Sequence, residues 1–178
     1  MEQNSFWQAN FWGILGSITG AIALTISYLS HRYNTPDIKI EHLVLLTAPP
    51  LWIKSEYGGK NIEELRNRYL DYTLKIKVRN SRGGAGSIDK PTLLIKIPLN
   101  KNSSEEIRIF PRTEVDNESF NITGGQSIDD VLEYDLYDEN LHKVANNFEK
   151  LKYFIEYKDN RGKRYIKEIT EITVDKKY

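Results

Sequence analysis

The sequence predicts an all-β domain, an antiparallel β-sandwich of seven or eight strands, preceded by a single N-terminal transmembrane helix. Three observations support this: an uncharged apolar run near the N-terminus, short segments of alternating polarity after it, and turn residues between those segments. A small β-barrel is the alternative arrangement of such strands. We expect a helical segment over residues 1–33, with the span at about 8–30, and a β domain over residues 34–178.

The apolar run is long enough to cross a bilayer. No charged side chain occurs from Gln3 to Ser30, and twenty helical residues rise about 30 Å, the thickness of the hydrocarbon core. No basic segment precedes the run and no small-x-small cleavage site follows it, so an uncleaved span in the lipid bilayer is expected rather than a signal peptide. Aromatic residues flank the run on both sides, as they do at membrane interfaces: Phe6, Trp7, Phe11, Trp12, Tyr28 and Tyr33.

Small residues recur along one side of this span. Positions spaced alternately three and four residues apart lie on a single seam of a helix. Here the six seam positions are Gly13, Gly16, Gly20, Ala23, Ser27 and Ser30. Isoleucines spaced by four form a bulky stripe elsewhere on the helix. Because small residues let helices approach closely in lipid, we expect the span to pack against a second copy or another membrane protein.

Basic residues lie mainly after the span. Glu2 is the only charged side chain before it, whereas Arg32 and Lys39 follow it closely. Lys and Arg favour the cytoplasmic side of a membrane, so we expect a single-pass protein with its β domain in the cytoplasm. The opposite topology, with the domain outside, is the alternative.

Eight segments after Pro36 have the pattern of β-strands. They cover residues 37–46, 71–80, 91–99, 105–110, 118–122, 131–137, 151–159 and 164–174. In the first segment, Ile38, Ile40 and Val44 are expected on one face. The second alternates most clearly, and its expected inward residues are Tyr72, Leu74, Ile76 and Val78. Residues 61–70 and 140–151 are two candidate helices.

Three turn-rich stretches carry a family resemblance. They are VRNSRGGAGSIDKPTLLIKI (78–97), ITGGQS (122–127) and FIEYKDNRGKRY (154–165), in which glycine-containing turns connect strands. Together with the N-terminal span, this pattern resembles prokaryotic membrane-anchored proteins that carry an immunoglobulin- or fibronectin-like β-sandwich. The resemblance implies an immunoglobulin-like topology and a role as an adhesion, scaffold or accessory module.

No catalytic set is recognisable in the sequence. Cysteine is absent, the three histidines are far apart, and neither a nucleophile elbow nor a phosphate loop occurs. Lys plus Arg and Asp plus Glu balance at 25 each, which does not favour binding to a nucleic acid polymer. We therefore expect a protein that is not an enzyme and has no catalytic residue, cofactor or metal site.

One glycine-rich stretch is a candidate site for a small anionic ligand. Successive backbone N–H groups in residues 79–87 can surround a phosphate group, and nearby arginines add positive charge. The candidate ligand-binding residues are Arg79, Arg82, Gly83 and Gly84. A turn that simply connects two strands is the other explanation of these glycines.

Three functions are therefore open at this stage. The first is a membrane-anchored binding or scaffold protein that associates through the small-residue seam. The second is a ligand-gated membrane effector whose cytoplasmic β domain senses a small, nucleotide-like anion. The third is an extracytoplasmic adhesion or envelope accessory protein, which requires the opposite topology.

Overall fold

The computed structural model describes residues 3–100, 103–112 and 119–177, with the side chains of α1 described from residue 10 onward. The helices are α1 (Gln3–Asn34), α2 (Pro50–Tyr57) and α3 (Asp138–Asn147). The strands are β1 (Ile38–Thr47), β2 (Tyr69–Asn80), β3 (Gly86–Asp89), β4 (Thr92–Asn100), β5 (Ser103–Ile109), β6 (Ser119–Ile122), β7 (Ser127–Tyr137), β8 (Lys152–Lys158), β9 (Arg164–Glu168) and β10 (Glu171–Val174). Glu118, in the predicted fifth strand segment, lies outside the described residues, as do the side chains of Phe6 and Trp7.

Helix α1 is long and apolar enough, by length and composition, to cross a membrane over Asn10–Asn34. The most apolar part of this stretch is not buried against the rest of the described chain. The helix ends where Pro36 excludes the helical conformation from the residue before it. Thr35 closes the last turn, since its hydroxyl donates a hydrogen bond to the carbonyl of His31 at 2.7 Å.

The described strands form three sheets. Their orders are β10-β1-β2-β7, β5-β4-β8-β9 and β3-β6. The alternation predicted for the second segment is confirmed, because Tyr72, Leu74, Ile76 and Val78 of β2 are all buried. One face of this strand therefore points into the core, and the other carries polar side chains.

Both four-stranded sheets contribute to one apolar core. Leu74 from the first sheet and Leu93 from the second are completely buried within the same cluster. Burying such a side chain contributes about 1.5–3 kcal/mol relative to leaving it in water. A buried hydrogen bond also connects the sheets, since the hydroxyl of Tyr134 donates to the carbonyl of Pro91 at 2.8 Å.

The strand arrangement differs from the predicted one in its last segment. Residues 164–174 form two strands: β9 pairs antiparallel with β8, whereas β10 crosses to the other sheet and pairs parallel with β1. At the crossing, buried Ile169 donates its N–H to the carbonyl of Tyr153 at 2.9 Å. The described chain thus has ten strands in separate sheets, not wholly antiparallel and not closed into one barrel. The immunoglobulin-like topology stays a prediction.

A β-bulge changes which residues of β1 face the core. The pairing register with β2 shifts between Ile40 and His42. An extra residue at such a point reverses the alternation beyond it. Leu43 and Leu45 are consequently buried, and the expectation that Val44 shares a face with Ile40 is wrong.

The short helices lie at the end of the domain away from α1. Residues 62–67 form turns and residues 69–70 begin β2, so 61–70 is not the predicted helix; the backbone of Asn67 there has a positive φ of 64°. Helix α2 precedes them instead, with proline at its start as helices favour. Helix α3 falls at the start of the predicted 140–151 segment and packs against α2.

Candidate functional site

At the near end of the β domain, where α1 enters, helix and sheet are held together by a contact that we call the joint. Its three segments are residues 32–38, 80–86 and 122–126. The N–H of Gly83 donates to the carbonyl of Tyr33, and the N–H of Ser81 donates to the carbonyl of Asp37, both at 3.1 Å. These bonds lie on either side of Pro36. The end of α1 and the residues that follow it (32–37), which we call the helix exit, are therefore fixed to the loop after β2 rather than joined to it by a free linker.

Asn80, the last residue of β2, is completely buried at the centre of the joint. Its Oδ1 accepts hydrogen bonds from the N–H groups of Asp37 (3.1 Å) and Arg82 (3.2 Å). Its Nδ2 donates to the carbonyls of Gly84 (2.5 Å) and Ile122 (3.3 Å). One amide therefore satisfies four backbone groups from three chain segments, which stabilises this arrangement over alternatives that would leave those groups unpaired.

The glycines of the joint allow an unusually close approach of chain segments. A Cβ on Gly84 would overlap the carbonyl oxygen of Asn34, and a Cβ on Gly124 would overlap the carbonyl of Gly83. A Cβ on Gly83 would come closest to the ring of Tyr33. The helix exit thus lies directly against the glycine-rich loop, which explains the glycines as a packing surface.

The four predicted ligand-binding residues do not form one common cradle. Gly83 and Gly84 face the helix exit, and the N–H of Gly83 is already bonded to a carbonyl of α1. Arg79 is exposed, with its Nη1 at 3.4 Å from Oε1 of Glu41. Arg82 is half-buried, and its Nη1 lies 3.5 Å from the carbonyl oxygen of Arg32 in the last turn of α1.

Arg82 also lines a pocket of about 220 Å³. We call it the junction pocket, because it separates the helix exit from the hairpin that connects β8 and β9. Its walls include Pro36, Asp37, Arg82, Tyr157, Arg161 and Tyr165. Sequence reasoning missed the last three of these residues. Their signal was the interleaving of aromatic and basic residues in YKDNRGKRY, which we interpreted only as a turn.

The hairpin wall of the junction pocket is held by Asp159. Its Oδ1 accepts hydrogen bonds from the N–H groups of Arg161 (3.0 Å) and Lys163 (2.9 Å), and its Oδ2 accepts one from the hydroxyl of Tyr165 (3.1 Å). Partial burial raises the pKa of Asp159, but these hydrogen bonds outweigh it and the pKa falls below its ordinary value. The carboxylate is therefore ionised at neutral pH, and both of its oxygens accept hydrogen bonds from its own hairpin.

The wall formed by the helix exit contains a second carboxylate with close partners, Asp37. The hydroxyl of Ser81 donates to its Oδ2 at 2.9 Å, and Nζ of Lys39 lies 3.2 Å from the same oxygen. The hydrogen bond from Ser81 lowers the pKa of Asp37 more than partial burial raises it, and Lys39 lowers it further. Asp37 thus connects the helix exit to the loop after β2 through its side chain as well as its backbone.

The predicted helix-packing residues all lie on exposed parts of α1. A Cβ built on Gly13, Gly16 or Gly20 would have no neighbour within 4 Å in the described chain. The hydroxyls of Ser17 and Thr19 donate to carbonyls one turn earlier in α1, at 2.9 and 2.8 Å. The surface of the helix is therefore open, and these polar groups are satisfied within the helix.

The sequence matches no protein-family model and no curated protein. Among solved structures, a Bordetella pertussis protein assigned as ApaA is 8% identical, with 77% of this chain and 91% of that chain covered and a TM-score of 0.36. A β-D-glucoside glucohydrolase from Trichoderma reesei is 12% identical, covering 78% of this chain and 19% of that one, at a TM-score of 0.34. A protein assigned to the late embryogenesis abundant class is 10% identical, with 90% of this chain and 84% of that chain covered and a TM-score of 0.33. Similarities of this size assign neither a family nor a function.

Proposed function

We propose that this chain is a membrane-anchored binding or scaffold protein that associates through the small-residue seam of α1. The observation that carries the proposal is the joint, because it connects the candidate span to the β domain without a free linker. Two spans that pack together would then place their β domains in a defined relative orientation. Such a geometry suits a protein that presents a binding surface at a membrane.

The strength of the joint supports this coupling. Four hydrogen-bond donors connect the helix exit to Asn80, Ser81 and Gly83, three of them in bonds with Asp37 and one with Tyr33; the hydroxyl of Ser81 reaches both Oδ2 and the carbonyl oxygen of Asp37. At about 0.5–1.5 kcal/mol each, they contribute about 2–6 kcal/mol in total, several times the thermal energy. An isolated flexible linker would offer no comparable restraint.

The joint also supports an anchor that is retained rather than removed. Cleavage after Asn34, at the end of the candidate span, would delete Tyr33 and Asn34, which cover Gly83 and Gly84. It would also remove the carbonyl that accepts the N–H of Gly83. The folded β domain therefore uses the end of α1 as part of its own packing, which a removable signal peptide would not provide.

Replacing seam glycines tests the association. We expect Gly16→Ile with Gly20→Ile to reduce self-association about fivefold or more in a membrane two-hybrid assay, because bulky side chains keep helix backbones apart. Neither glycine has a neighbour within 4 Å in the described chain, so the substitutions leave its own packing intact.

The matched control changes the bulky stripe of the same helix. Ile14→Leu with Ile18→Leu keeps the volume and apolar character of two side chains that are exposed on α1. We expect this pair to leave association unchanged. Equal effects of the two pairs would contradict a specific packing face on the seam.

A ligand-gated membrane effector is our second proposal, and the position of Arg82 favours it. The guanidinium of Arg82 reaches the carbonyl of Arg32 in the last turn of α1, so a ligand held there would act directly on the end of the helix. The same fold and topology serve both proposals. Failure of the wild-type chain to bind any small anion would remove the second and leave the first in place.

A further inference from the structure

The junction pocket brings two arginines, Arg82 and Arg161, together with two carboxylates, Asp37 and Asp159. Neither Arg82 nor Arg161 forms an ion pair within the described part of the chain. Both carboxylates of the pocket already have close partners. Asp37 interacts with Lys39 and Ser81, and Asp159 accepts hydrogen bonds within its own hairpin. The charge of Arg82 contributes to lowering the pKa of Asp37, and that of Arg161 to lowering the pKa of Asp159. Each arginine therefore interacts with a carboxylate at longer range, while its guanidinium N–H groups are not held in a salt bridge and can donate to an anion that enters the pocket.

The walls of the pocket suit a phosphate group. The planar guanidinium of arginine matches phosphate oxygens through two parallel hydrogen bonds. The rings of Tyr157 and Tyr165 stack at 5.2 Å with an interplanar angle of 13° and form a firm wall. Burial is the main cause that raises the pKa of Tyr157, so its hydroxyl stays protonated and can donate a hydrogen bond.

The size of the pocket favours a small phosphate-containing group over a whole nucleotide. Its volume of about 220 Å³ lies below the range of about 300–1,000 Å³ that is typical of sites for drug-sized ligands. A single phosphate with a short ester arm is a group of the appropriate scale.

The pocket also lies where a bilayer has its phosphates. The candidate span ends at Asn34, and Pro36, two residues later, lines the pocket. Two residues advance the chain by at most about 7 Å, and the headgroup layer on each side of the hydrocarbon core is about 5–8 Å thick. Basic side chains of Arg32, Arg161 and Lys163 are exposed at the same end of the domain.

We infer that the junction pocket binds a phosphate group through Arg82 and Arg161, and that an anionic phospholipid of the surrounding bilayer supplies it. The lipid as the source rests on the membrane anchoring proposed above, whereas the phosphate site itself does not. A bound headgroup would bridge Arg82 beside the helix exit and Arg161 on the hairpin. Binding of the headgroup would therefore stabilise the contact between α1 and the β domain.

Calorimetric titration of the full chain in maltoside micelles tests the site. The three probes are dihexanoyl-phosphatidylglycerol, dihexanoyl-phosphatidylcholine and inorganic phosphate. We expect saturable binding of phosphatidylglycerol, weakened about tenfold or more by Arg82→Ala and by Arg161→Ala, because each removes hydrogen bonds to a charged group. Arg161 is exposed on its hairpin, so its variant tests the site even if Arg82→Ala loosens the joint.

The matched control is Arg79→Ala, an exposed arginine that pairs with Glu41 and does not line the pocket. We expect this variant to bind phosphatidylglycerol as the wild type does. Equal loss in Arg79→Ala, or no binding of any probe, would overturn the inference. Binding of inorganic phosphate as tight as that of phosphatidylglycerol would overturn the lipid source and confirm the phosphate site.

The outcome is separable from that of the proposed function. Alkaline carbonate extraction of membranes from expressing cells reports on anchoring alone. A chain that is extracted but still binds inorganic phosphate through Arg82 and Arg161 would disprove the anchor and retain the site. A chain that resists extraction and binds no probe would support the anchor and disprove the phosphate site.

Discussion

Gly83 and Gly84 are neighbours in the sequence, yet their surroundings in the joint differ. A side chain on Gly84 would collide with the backbone carbonyl of Asn34, which cannot turn away without moving the helix exit. A side chain on Gly83 would meet the ring of Tyr33, which is exposed and can rotate. At the scale of single residues, the position of α1 thus depends on one glycine much more than on the other.

Alanine substitutions test this difference. We expect Gly84→Ala to lower the free energy of unfolding by about 1–3 kcal/mol, the typical cost of forcing extra volume into packed structure. Gly83→Ala is the matched control, and we expect it to cost less than about 1 kcal/mol because a side chain can give way. Denaturant unfolding of the full chain in detergent measures both. Equal costs would contradict the proposed role of the close contact with Asn34.

At the scale of elements, a carboxylate holds the exit of α1 to the loop after β2. The hydrogen bond from Ser81 and the charge of Lys39 lower the pKa of Asp37 below its ordinary value of 3.8. Because the pKa is lower in the folded state, this contribution to stability is fully present above about pH 4. It is lost as the pH falls through the folded value.

Removing the hydroxyl that faces Asp37 should reverse part of this effect. We expect Ser81→Ala to raise the pKa of Asp37, since the largest of the interactions that lower it is lost. A carbon-13 NMR titration of the carboxyl group measures the change directly. Thr73→Ala, at a half-buried position in the middle of β2, is the control. An unchanged pKa in Ser81→Ala would refute the assignment.

Local pattern predicted some elements well and others poorly, for identifiable reasons. The alternation of β2 was correct because the strand is regular and one face is buried along its length. The face of β1 was wrong beyond Ile40, because a bulge leaves no signature in the periodicity of a single strand. Residues 61–70 were mistaken for a helix, although Tyr69 and Leu70 pair with Tyr137 and Leu136 of β7. Long-range pairing there overrides local helix propensity.

At the scale of the whole molecule, the two ends of the β domain have different surroundings. The near end carries α1, the joint and the junction pocket, while α2 and α3 cover the far end. If α1 spans a bilayer, the pocket faces the headgroups and the far end faces the aqueous compartment. The side of the membrane on which that compartment lies separates the scaffold and effector proposals from the adhesion alternative.

Single cysteines test the topology cleanly, because the chain contains none of its own. Glu149→Cys places a thiol at an exposed position near the far end. We expect a membrane-impermeant maleimide to label it only after the cells are permeabilised, since basic residues follow the span. Ser5→Cys, before the span, should show the opposite behaviour. Labelling of Glu149→Cys in intact cells would place the domain outside and favour the adhesion alternative.

The sequence by itself determined the apolar helix, its seam and most of the strands. These follow from composition and periodicity within a few turns or residues, which act locally. Tertiary structure alone decided the joint, the parallel pairing of β10 and the junction pocket. Each depends on groups far apart in the chain, such as Asp37 and Asn80, 43 positions apart, or Val44 and Glu171, which pair between β1 and β10. Side chains that single-sequence patterns treat as turn residues become the walls of a site only when such segments meet.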